Sequence, residues 1–86
     1  MSSKSIKIQV KLFAIYQEIY RQDQLEWELP SPAKVSDVLD RILLEHPELQ
    51  KWRSLTRYGV NLQFVEENTL LQNGDEVVLI PPVSGG

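Results

Sequence analysis

Residues 74–86 read Gly74-Asp75-Glu76-Val77-Val78-Leu79-Ile80-Pro81-Pro82-Val83-Ser84-Gly85-Gly86, and this stretch constrains the architecture of the whole chain. Gly74 follows Asn73 and can take the positive φ that a tight turn needs. Val77 to Ile80 is a continuous apolar run, which predicts a strand covered on both faces and therefore central to its sheet. Pro81-Pro82 ends it, because proline has no N–H to give to a ladder.

The segments upstream supply the neighbours such a strand requires. Ile6, Ile8, Val10 and Leu12 alternate with Lys7, Gln9 and Lys11, a period of two that predicts a strand with one buried face. Phe13 continues it on the lysine side. From Ala14 to about Gln22 the spacing loosens to Ile15 and Ile19, predicting a short helix. Leu25, Trp27 and Leu29 predict a second strand, closed by Pro30-Ser31-Pro32. Val35, Val38, Leu39, Ile42 and Leu43 form one apolar helical stripe, with Ser36 as the expected N-cap and Pro47 as the stop. Glu48 to Arg57 is expected to be irregular or a short helix around Trp52. Val60, Leu62 and Phe64 predict a third strand, with Phe64 on its buried side. About four strands and one principal helix make an α+β layer, one sheet covered on one face.

Composition narrows the function. Eighty-six residues leave room for one domain, 1–86, which buries roughly 60–65% of its unfolded surface. A deep catalytic cleft would be cut from that same core, so a carrier, partner or binding module is expected. No cysteine is present, which removes disulfides, thiolate zinc sites and a sulfur nucleophile, and fits a reducing compartment. No uncharged apolar run nears the ~20 residues of a membrane span, and the start lacks a signal-peptide core. A cytoplasmic protein is expected. Net charge is −3 and the nine Lys and Arg are dispersed, without the basic stripe of a nucleic-acid binder. The lone histidine, His46, precedes Pro47 at a helix end and suits capping or solvent better than proton transfer. It makes no metal site. Glu66-Glu67 read as a polar strand end, and Asp75 and Glu76 as parts of the turn around Gly74.

The tail 81–86 carries the most specific signal. After Glu76 come ten residues without a charged side chain. The paired prolines fix φ near −65° and favour extension, so Pro82 to Gly86 could reach about 17 Å at ~3.3–3.6 Å per residue. Stiffness lowers the entropy lost on entering another protein's channel. Ser84, Gly85 and Gly86 then narrow the chain, leaving the Gly86 carboxylate open to attack from either side. Such a terminus suits activation of the carboxylate as a mixed anhydride with AMP.

Leu70-Leu71-Gln72-Asn73-Gly74-Asp75-Glu76-Val77 followed by Pro81-Pro82-Val83-Ser84-Gly85-Gly86 resembles the C-terminal signature of the molybdopterin synthase small subunit, the MoaD family of the MoaD/ThiS sulfur carriers. Val10-Lys11-Leu12-Phe13-Ala14, Val35-Ser36-Asp37-Val38-Leu39 and Val60-Asn61 also match. Departures are Gln17, where many relatives have arginine, and the polar stretch 50–57. The resemblance implies a ubiquitin-like β-grasp fold and a carrier subunit with no resident cofactor. A MoeB-like enzyme would use ATP to adenylate Gly86, and a sulfur donor would convert it to a thiocarboxylate. The tail (Pro81, Pro82, Val83, Ser84, Gly85) would insert into the MoaE-like large subunit, which supplies the catalytic groups within a heterotetramer. There the sulfur passes to precursor Z. The resemblance places an interface aromatic at Phe13. Trp52 reads equally as a partner contact or as packing. The same tail serves carriers for thiazole or cysteine synthesis, and ubiquitin-like modifiers that form an amide with lysine.

Overall fold

The computed structural model describes residues 4–82. Five strands and two α-helices follow one another in the order β1 (Ser5–Leu12), α1 (Ile15–Tyr20), β2 (Gln24–Pro30), α2 (Val35–Glu45), a 3₁₀ helix (Pro47–Leu55), β3 (Arg57–Val60), β4 (Gln63–Val65) and β5 (Glu76–Ile80). They form one sheet in the order β2-β1-β5-β3-β4. The pair β1·β5 is parallel and the other pairs are antiparallel, so the sheet is mixed. As the apolar run predicts, β5 is central.

The alternation in β1 does what its period dictates. Ile6, Ile8, Val10 and Leu12 are buried on the side that meets α2, whose Val35, Val38, Leu39 and Ile42 are fully covered. Val77 and Leu79 of β5 complete this layer, both fully buried. In α1, Tyr16 rather than Ile15 or Ile19 is the fully buried side chain. Its hydroxyl pairs with that of Thr56, which in turn donates to the Trp52 carbonyl at 2.8 Å. That pairing explains how the buried polar Thr56 is accommodated. Burial raises the Tyr16 phenol above its usual range, with Thr56 opposing.

Several expectations need correction, beginning with the strand count, which is five. The third strand is a hairpin: Asn61 and Leu62 take positive φ, the chain reverses, and β3 pairs with β4. The reversal turns Phe64 away from the core, leaving it 74% exposed. Helix α2 begins at Val35, so Ser36 lies inside it and caps nothing; the Asp37 carboxylate accepts the Lys34 N–H at 2.8 Å, and the Val35 and Ser36 N–H groups donate to the carbonyls of Thr69 and Glu67. Finally, β5 is covered on one face only. Val78 and Ile80, on its second face, are half-buried.

Candidate functional site

The uncovered face of the sheet carries an apolar strip that ends at the tail. Register places Phe64 opposite Gly59, Gly59 opposite Val78, and Val78 opposite Lys11, so these four share one face. Gly59 contributes no side chain, and a groove of ≈ 310 Å³ opens between Phe64 and Val78, bordered also by Phe13, Leu62 and Ile80. Charge is confined to its edge, where Lys11 Nζ lies 3.4 Å from Glu76 Oε2. A contiguous exposed apolar surface is a candidate interaction site. Phe13 is 46% exposed on this face, as its phase in β1 predicts.

A second groove, ≈ 570 Å³, continues from Phe13 and Ile80 past Ala14, Ile15 and Trp52 to Pro81 and Pro82. Pro81 is buried and Pro82 half-buried, so the first step of the tail is seated against the body of the domain. Val83, Ser84, Gly85 and Gly86 lie outside the described residues. The chain therefore leaves β5 in the middle of the sheet, at the junction of the two grooves. Trp52 packs against the core, as one of its two readings expects, and also borders the second groove.

Asp75, His46 and Trp27 have structural partners. Asp75 accepts the Gln72 N–H within its own turn and the Asn61 amide from the β3–β4 turn. His46 forms the C-cap of α2, its N–H donating to the Ile42 carbonyl at 2.8 Å; its ring meets the Tyr20 ring edge-on at 5.0 Å and lies 3.6 Å from Glu48. Trp27 sits under Arg41, whose guanidinium is 4.2 Å from the ring centroid. Glu66 and Glu67 lie in the loop after β4, not in a strand. Among the described residues no cluster of His, Cys, Asp or Glu could hold a metal, and no helix is long and apolar enough to cross a membrane.

The two grooves meet where the chain leaves β5. Residues 10–86 match the ThiS family. The chain belongs to that family. Within it, the molybdopterin synthase sulfur carrier subunit of Arabidopsis thaliana is 32% identical over 84 residues, 98% of this chain and 88% of the relative. Small archaeal modifier protein 1 of Haloferax volcanii superposes with a TM-score of 0.75 at 25% identity, over 91% of this chain and 99% of that one. A subunit of molybdopterin-converting factor from Helicobacter pylori, solved as a complex of subunits 1 and 2, superposes with a TM-score of 0.59 at 26% identity, over 94% and 100%. The ubiquitin-like β-grasp fold of this ThiS-family chain is thereby the fold expected from its sequence.

Of the residues that border the two grooves, the sequence singles out Phe13, Pro81 and Pro82 but not Leu62, Phe64, Val78 and Ile80 as surface residues. The signal lies in β5: an apolar run on both faces of a strand is compatible with burial on both or with one uncovered apolar face.

Proposed function

We propose that this chain is the sulfur carrier subunit of molybdopterin synthase. The observation that carries the proposal is the neutral Pro81–Gly86 terminus issuing from the central strand beside an uncovered apolar face. The identity to the plant sulfur carrier subunit over nearly the whole chain supports it.

With Gly86 as the terminal residue, its carboxylate oxygen attacks the α-phosphorus of ATP on an activating enzyme, and pyrophosphate leaves. Hydrosulfide then attacks the acyl carbon, the bond to the AMP phosphate oxygen breaks and AMP leaves, giving a thiocarboxylate. Adenylation is needed because a free carboxylate is a poor electrophile. This domain's part is to dock through Phe13, Phe64, Val78 and Ile80 and to deliver the tail. The stiff Pro81-Pro82 start limits the freedom lost on insertion. The large subunit receives Val83 to Gly86 and supplies the acid–base groups that move sulfur to precursor Z. The solved complex of subunits 1 and 2 is consistent with a partner of that kind.

Intact mass tests the chemistry. Incubation with ATP, an activating enzyme and sulfide should replace one oxygen by sulfur at the terminus; an unchanged mass rejects the proposal. Likeness to the archaeal modifier favours a second reading, amide formation between Gly86 and a lysine. Cells carrying a tagged copy would then show a ladder of heavier conjugates that vanishes on Gly86 deletion. Rescue of nitrate reductase activity in a strain lacking its own small subunit separates molybdopterin synthesis from thiazole or cysteine synthesis.

A further inference from the structure

The β3–β4 turn consists of Asn61 and Leu62, with φ of 52° and 72°. A two-residue hairpin of type I′ has positive φ at both positions, which matches the strand twist, and Asn-Gly is the usual pair. Asn61 is suited to its place. Its Nδ2 donates to Asp75 Oδ1 at 2.9 Å, and its Oδ1 accepts the Glu76 N–H at 3.0 Å, tying the turn to β5. Leu62 has no such compensation. Its Cβ crowds the following carbonyl in this left-handed conformation. Its side chain, 90% exposed, is the most exposed of the large hydrophobics among the described residues and contributes almost nothing to the core. Glycine would relieve the strain and remove the exposed apolar surface together. An unfavourable backbone state that presents an apolar side chain to solvent points to a function outside the fold.

Accepting the carrier role, we propose that Leu62 is a specificity-determining contact for the large subunit. It borders the same groove as Phe64, Val78 and Ile80, and that groove runs through Phe13 and Ile80 to the base of the tail. A protein that draws in Val83 to Gly86 abuts Phe13 and Ile80 first, then the hairpin tip. The surface that fits is an apolar recess able to admit one leucyl side chain, with a polar margin to face the Lys11–Glu76 pair. The Asn61 hydrogen bonds hold the knob in position before docking, which limits the ordering lost on binding.

The test compares Leu62→Gly, Leu62→Asn and Leu62→Met by thermal melting and by calorimetric titration against the purified large subunit. Gly and Asn both tolerate the left-handed region, so both should melt higher, by roughly 4 °C for a domain of this size. Both should bind at least about tenfold more weakly, the scale expected for one buried leucine. Met keeps the apolar side chain and should bind like the parent. If Gly and Asn bind as the parent does, or melt lower, the inference is overturned while the carrier role stands. If they slow adenylation yet leave large-subunit affinity unchanged, the contact is with the activating enzyme and the proposal is also overturned. If the parent chain itself does not bind the large subunit, the carrier role fails first and this inference with it.

Discussion

Truncating Phe64 to alanine separates a surface aromatic from a core aromatic. Deleting a buried phenylalanine costs about 3–5 kcal/mol, because transfer and cavity terms add. Phe64 is 74% exposed, so only about a quarter of that loss applies, or about 1 kcal/mol. Leu79, on the opposite face of β5, is fully buried, and Leu79→Ala should cost about 2–5 kcal/mol. In urea, with m near ~1 kcal/mol/M for a chain this small, Phe64→Ala lowers the midpoint by roughly 1 M and Leu79→Ala by several-fold more. Both slopes should match the parent, so that midpoints report stability. In calorimetric titration Phe64→Ala should weaken large-subunit binding by at least about tenfold, as expected for a lost aromatic anchor. A stability loss equal to that of Leu79→Ala, with binding unchanged, would return Phe64 to the core and refute the assignment of the uncovered face.

Two further outcomes follow from the same geometry. Asn61→Ala removes both side-chain hydrogen bonds and leaves a Cβ at positive φ, a loss of about 2 kcal/mol, whereas Asn61→Gly keeps the backbone conformation and should lose about half of that in urea unfolding. Stability should also fall in alkali. Burial raises the Tyr16 and Tyr58 phenols, and burial with the Glu45 carboxylate raises Tyr20 further. Above their ordinary value of 10.0 the unfolded chain therefore releases protons that the folded chain retains. The stabilisation is complete below pH 10 and declines as pH rises through the folded values. Thermal melts above neutral pH should show a flat region and then a decline beginning near 10; a decline confined to lower pH contradicts the buried phenols.

Much of the fold is legible because burial and period coincide. Ile6, Ile8, Val10 and Leu12 alternate without interruption, and Val35 to Leu43 keep a helical stripe on one side. The hairpin is not legible in this way. Val60, Leu62 and Phe64 keep a period of two straight through a turn that has neither glycine nor proline, so the pattern reads as one strand. Asn61 was the available cue, since asparagine tolerates positive φ, but Leu62 after it argues the other way. The N-terminus of α2 was misplaced for a related reason. Ser36 looks like a cap, yet loop carbonyls from Glu67 and Thr69 meet the free N–H groups, a tertiary contribution that local sequence does not encode. For the candidate site, the exposed position of Phe13 and the proline pair that ends β5 are legible; the rest of the apolar face is hidden by the ambiguity that makes a two-sided apolar strand look fully covered.

Deletion of Gly86 is the most direct measurement. The shortened chain should show the parent's circular dichroism and melting temperature and should still titrate onto the large subunit, because the docking face is intact. It should then yield no thiocarboxylate with ATP, activating enzyme and sulfide, and no dithiolene from precursor Z. A folded, docking-competent deletion that still supports dithiolene formation would contradict the claim that the terminal carboxyl carries the sulfur.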